Sequence, residues 1–198
     1  YGGLAYVCLF IARELNDRVI LRGISNDDEC KNRNTAVAIA EFGSYIATGL
    51  IINACISGDS VGLMKGIMDT MVFFALGQII LIMLTVIYEA ITSFHVLAEI
   101  HKGNNAASVM IAGKLIALGF ILRNSIVGES LGWTADLISF GQAALFGTLI
   151  LLAFNAVIDK LFLPNTNVAK EVSEQNVAAT VVTQAVTIGF ALIITTII

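Results

Sequence analysis

Unbroken apolar runs dominate this chain. Five of them, at 35–56, 67–91, 106–127, 134–158 and 177–198, hold about 22–25 residues each, enough for an α-helix to cross roughly 30 Å of hydrocarbon at 1.5 Å per residue. They do not alternate as the strands of a membrane barrel do. A shorter run, 2–12, precedes them. It is too short to span a bilayer and lacks the basic flank of a secretory signal. The chain starts at Tyr1 rather than Met, so the pattern predicts a first helix truncated on its N-terminal side. An intact mass agreeing with a Tyr1 start would defeat that expectation. The predicted fold is an all-α membrane protein of six transmembrane helices in three tandem helical hairpins. It forms a single integral membrane domain over 1–198, with internal repeats at about 1–58, 66–128 and 134–198.

Composition narrows the picture. The 198 residues are 57% hydrophobic and 13% charged, with a mean hydropathy of +0.86. A soluble domain carries about 25% charged residues, and a disordered chain is poor in apolar ones, so both classes are excluded. A net charge of −4 and a pI near 5.1 argue against nucleic acid as a partner. Cys8, Cys30 and Cys55 lie far apart with no metal-binding spacing, and read as reduced thiols. The basic residues set the orientation. Arg13, Arg18, Arg22, Lys31, Arg33, Lys102, Lys160 and Lys170 fall in the connections after the first, third and fifth spans, whereas only Lys65 and Arg123 fall on the opposite side. Those three connections are expected in the cytoplasm and the C-terminus outside, with Trp133 at the outer interface.

Self-similarity appears at the start of every second helix. Asn34-Thr-Ala-Val-Ala38, Asn104-Asn-Ala-Ala-Ser108 and Asn176-Val-Ala-Ala-Thr180 align. At steps of two, nine and thirteen from each Asn stand Ala36, Gly43 and Ala47, then Ala106, Gly113 and Ala117, then Ala178, Ala185 and Gly189. Steps of seven and four put each trio on one helix face. Lipid tails are as apolar as Leu, so helices associate in a bilayer through close backbone approach, which small residues permit. The nine positions therefore predict a shared packing face, and each Asn suits an N-cap. The preceding helices align as well: Gly77-Gln78 with Gly141-Gln142, and Glu89 with Glu14 when Gly77 is set against Gly2.

The stretch Leu163-Pro164, followed by Lys170-Glu-Val-Ser-Glu-Gln-Asn-Val-Ala-Ala179, resembles the YjfL-like family of bacterial inner-membrane proteins (domain of unknown function three-fifty). Asn34 to Gly49 and Asn104 to Gly119 carry the same pattern, so the resemblance covers nearly the whole chain. It implies tandem hairpins with cytoplasmic turns, a bacterial inner membrane and no established activity. Three hairpins stand here where four-helix members show two, and Glu41 and Lys114 add charge to the pattern.

An ionisable group near the bilayer centre costs at least about 2.5–3.5 kcal/mol on insertion scales. Glu41 would lie about 10 Å, and Lys114 about 15 Å, inside the cytoplasmic edge. They line a proton or ion pathway, form a structural ion pair, or Lys114 snorkels. Gln78 and Gln142 either bond across helices or line a pore. Arg123 is expected to reach headgroups. His95 and His101 belong to a solvated turn, since a six-residue step is not the i,i+4 spacing of a helical metal site. The acids Asp27, Asp28 and Glu29 mark a hydrated inner loop, and Asp59, Asp69, Glu129 and Asp136 an outer rim. No nucleophile motif, phosphate loop or ligand cluster appears, so neither an enzyme nor a cofactor is expected. Two functions remain. One is a structural or assembly subunit that forms homo-oligomers or holds partner membrane proteins in the lipid bilayer. The other is an ion or proton channel or transporter using Glu41 and Lys114.

Overall fold

The computed structural model describes residues 2–15, 26–57, 63–92, 94–127, 132–161 and 166–196. Every element among the described residues is helical: α1 (Gly2–Leu15), α2 (Asn26–Lys31), α3 (Thr35–Ser57), α4 (Leu63–Ile91), α5 (Val96–His101), α6 (Asn105–Ile126), α7 (Trp133–Leu161), α8 (Val168–Ser173) and α9 (Val177–Ile194). Five helices, α3, α4, α6, α7 and α9, are long and apolar enough to cross a membrane. The pattern predicts six spans; α1 has only 14 residues, about 21 Å of helix. Arg18, Arg22, Asp59 and Glu129, invoked above for orientation and loops, and the Leu163-Pro164 pair of the family resemblance lie outside the described residues.

The apolar runs locate the long helices to within a few residues. α4 begins four residues before the predicted run and takes in Lys65, and α7 continues three residues past its run through Lys160. A charged side chain at a helix end can lead its head group into water while its stem stays apolar. The three six-residue helices α2, α5 and α8 carry no apolar run of membrane length, and their sequences read as loops.

α6 is the centre of the fold, with fourteen of its residues buried. α3 lies on one side of it and α9 on the other, and these three helices form a row. Backbone approach is closest where the side chains vanish. A Cβ on Gly43 would overlap the backbone of Ala112, and one on Gly119 would sit 2.9 Å from Ala47 Cα. α4 leans on α3 through Gly77, whose missing Cβ leaves room for Ile51, and α7 leans on α6 through Gly147 beside Ile121. Each of these helices packs more closely on the long helix that precedes it in sequence than on the one that follows. In the predicted hairpins α4–α6 and α7–α9 the two helices are therefore not each other's main partners. A hairpin fixes sequence order alone, whereas packing follows the small-residue surfaces. Phe73 meets Phe140 edge-on at 5.5 Å between ring centres, linking α4 to α7, and Phe154 stacks on Phe190 at 3.7 Å, linking α7 to α9. α1 packs through Cys8 and Ala12 against Ile52 and Phe74.

Candidate functional site

Three junctions lead into the row, and they share one construction. Each short helix ends in a residue with left-handed backbone: Arg33 (φ 59°), Gly103 (φ 88°) and Gln175 (φ 56°). The next residue is Asn, and its N–H donates to the carbonyl of a Glu five positions back: Asn34 to Glu29 at 3.0 Å, Asn104 to Glu99 at 2.9 Å and Asn176 to Glu171 at 2.8 Å. This is the reversal that closes a helix through a left-handed residue. The Asn side chain then serves both neighbours. Its Oδ1 accepts from N–H groups in the first turn of the long helix: Ala36 and Val37, Ala106 and Ala107, or Ala179. Its Nδ2 donates to the carboxylate of that same Glu at 2.7, 3.1 and 2.6 Å. Asp could not replace Asn here, because a carboxylate has no donor to offer Glu.

Two of the three amides also tie the junctions together. Asn34 Nδ2 donates to the His101 carbonyl at 3.2 Å, and Asn104 Nδ2 to the Val172 carbonyl at 2.9 Å. The N-terminal ends of α3, α6 and α9 therefore lie on one side of the molecule. His101 Nδ1 is 3.6 Å from Glu29. A shallow polar cleft of about 300 Å³ opens there, lined in part by Glu29, Arg33, His101 and Lys102. The Glu99 carboxyl is held below the usual carboxylate range, first by its hydrogen bond from Lys102 and then by the one from Asn104. Glu29, Glu99 and Glu171 were missed in the sequence pattern, although each stands five residues before an aligned Asn. The Glu89 carboxylate caps α5 instead, accepting from Leu97 N–H at 3.1 Å and lying 3.1 Å from His95 Nδ1.

The small-residue trios divide. Ala36, Gly43 and Ala47 are buried on α3, as are Ala106, Gly113 and Ala117 on α6. On α9, Ala178 and Ala185 are exposed and a Cβ on Gly189 would meet nothing within 4 Å. The expected third packing face thus points away from the chain. The reason is position: α9 ends the row, and its inward face is Thr180, Thr183, Gln184, Thr187 and Ala191, all buried.

Lys114 is 0% exposed, with Nζ 4.6 Å above the centre of the Tyr88 ring. Such a contact is worth about 2 kcal/mol or more when desolvated. The ammonium stays inside the protein instead of being led out to headgroups. Glu41 is half-buried on α3, the helix packed against α6. Gln78 bridges α4 to α3 by donating to Thr48 Oγ1 at 2.9 Å, whereas Gln142 is exposed on α7. Arg123 Nε donates to Asn53 Oδ1 at 3.2 Å. A further amide escaped the sequence reading. Gln184 is 3% exposed, occupies the space that Gly113 leaves, and neither its Nε2 nor its Oε1 has a hydrogen-bond partner. Among the described residues no group of three His, Cys, Asp or Glu is placed to hold a metal ion.

Long apolar helices packed through glycine, with a lysine and two glutamines enclosed among them, define a multi-pass helical membrane protein. The family model described as Domain of Unknown Function (DUF350) matches residues 1–60 and 62–198. The chain belongs to the DUF350 family. It is 22% identical over 178 residues to a UPF0719 transmembrane protein of Aquifex aeolicus (strain VF5). That match takes in 89% of this chain but 66% of the relative, so the chain spans just under two thirds of the relative's length. No solved structure matches.

Proposed function

We propose that this chain is an assembly subunit of a bacterial inner membrane, which self-associates or holds other membrane proteins, rather than an enzyme. In this reading the three Glu–Asn junctions belong to three copies of one helical unit. α1 belongs to a sixth span, the junctions face the cytoplasm and the C-terminus lies outside. The supporting observation is the α3–α6–α9 row, where Gly43 and Gly119 bring backbone against backbone. Such contacts depend on shape and dispersion, which hold helices together where lipid removes the hydrophobic drive. They suit a rigid building block. The experiment is the mass of the protein particle in nanodiscs. Assembly gives a particle containing several chains of 21.1 kDa or further membrane proteins; a single chain alone overturns the reading.

A second reading, an ion or proton conductor, draws on Lys114 and Gln184, polar groups buried at membrane depth. Intramembrane ionisable residues commonly mark such pathways. Proton and cation flux into liposomes would be lost on Glu41→Gln or Lys114→Met if this reading holds. Equal, background flux in all three proteins rejects it.

A further inference from the structure

The row α3–α6–α9 has two ends, and they match each other. Within the chain, position nine after Asn34 (Gly43) meets position eight after Asn104 (Ala112), and position nine after Asn104 (Gly113) meets position eight after Asn176 (Gln184). Position thirteen after Asn34 (Ala47) likewise meets position fifteen after Asn104 (Gly119). The same docking step is thus taken twice. A third step needs positions nine and thirteen of α9, Ala185 and Gly189, and positions eight and fifteen of α3, Phe42 and Gly49. These are the open ones: Ala185 is exposed, Phe42 is 61% exposed, and a Cβ on Gly49 or Gly189 would meet nothing within 4 Å.

The flanking helices repeat the match, with Gly147 as the counterpart of Gly77 rather than the Gly141 aligned in the sequence, whose Cβ position meets nothing within 4 Å. Ile51 and Ile121, each seventeen residues after its Asn, receive Gly77 of α4 and Gly147 of α7. Ile193 stands at the same distance after Asn176 and is 60% exposed. Gly2 of α1, aligned with Gly77, has nothing within 4 Å of its Cβ position. Tyr6 aligns with Leu81 in the same register, and the first is 74% exposed while the second is fully buried. The junctions carry a polar counterpart. Asn34 and Asn104 each reach a carbonyl at the end of the next short helix. For Asn176 the next short helix in this order is α2 of another chain. The step that sets Glu29 near His101 then sets Glu171 beside Lys31, a pair of opposite charge.

We infer that the chain associates head to tail with a second copy of itself, α9 of one copy seating on α3 and α1 of the next by the docking step already made twice inside each chain. This rests on the assembly reading above and specifies its surface. An interface of this kind joins two different patches, so it closes into a ring or grows as a row.

The test uses the whole chain with Cys8→Ala, Cys30→Ser and Cys55→Ala, in membranes. One preparation carries Gly49→Cys and another Gly189→Cys; they are oxidised separately and after co-expression. In the equivalent pair inside the chain, Ala47 Cβ lies 3.1 Å from the Cβ position of Gly119, so a small outward shift gives the Cβ separation of about 3.5–4.5 Å that a disulfide takes. Cross-linked dimer is expected at least tenfold more abundant from the co-expressed pair than from either alone. Equal cross-linking of a single variant would mean a symmetric interface and overturn the inference. No cross-link, while the cysteine-containing protein still forms multi-chain particles, overturns this seam and leaves self-association standing. A single-chain particle overturns both. A further hairpin of a longer chain covering α9 would also give no cross-link and would overturn it. As a second variant, Ala185→Leu changes an exposed position that the isolated chain tolerates, and should lower the multi-chain fraction at least tenfold; an unchanged fraction counts against the seam.

Discussion

At the residue scale the junction asparagines carry most of the order. Asn104 caps α6, holds Glu99 and bonds to the Val172 carbonyl from a fully buried position, whereas Asn176 is exposed and serves only α9 and Glu171. Replacing a cap costs about 0.5–2 kcal/mol, and stranding buried partners adds about 1–3. Asn104→Ala should therefore lower the unfolding free energy by about 2–4 kcal/mol, and Asn176→Ala by about 1, as read from denaturation in detergent micelles; equal losses would contradict the geometry. Glu99 adds a pH dependence. Its folded carboxyl lies below the ordinary value of about 4.3 because Lys102 and Asn104 favour the charged form. The contribution is fully present above that ordinary value and is lost as pH falls through the lower, folded one. Glu99→Gln should destabilise at pH 7 and cease to differ from the natural protein in strong acid. A difference that persists there would assign Glu99 another role.

At the scale of helices, glycine positions should differ by what faces them. Gly43 and Gly119 oppose the backbone of Ala112 and Ala47, and Gly113 opposes Gln184 Cβ, an atom that side-chain rotation does not move, whereas Gly189 faces open space. Overpacking costs typically about 1–3 kcal/mol. Gly43→Ala and Gly113→Ala should both fall toward the upper end of that range, and Gly189→Ala should leave single-chain stability unchanged; melting of the three variants in one detergent gives the order. The long helices were legible in the sequence because an apolar run of membrane length has few alternatives. The steps of two, nine and thirteen were also legible, but not the direction each trio faces. That depends on which helix is a neighbour, and among the described residues α9 has none beyond it. The short helices α2, α5 and α8 were hidden because their stability comes from the Glu–Asn closure rather than from apolar periodicity. Gln184 was hidden because its burial is decided by Gly113, on a helix about seventy residues away.

At the scale of the molecule, the account requires three like-oriented helices crossing the bilayer side by side, their N-terminal junctions on one face. Hydrogen bonds from Asn34 to His101 and from Asn104 to Val172 bring those junctions together, and the excess of Lys and Arg supports the proposal that this face lies in the cytoplasm. Single cysteines at exposed junction positions, Arg33→Cys, Lys102→Cys and Gln175→Cys in a background without the natural thiols, report it directly when treated with a membrane-impermeant maleimide. All three should label in inside-out vesicles and stay unlabelled in right-side-out ones. Labelling of any one from the opposite face, or of all three from both, would contradict the arrangement from which the rest is built.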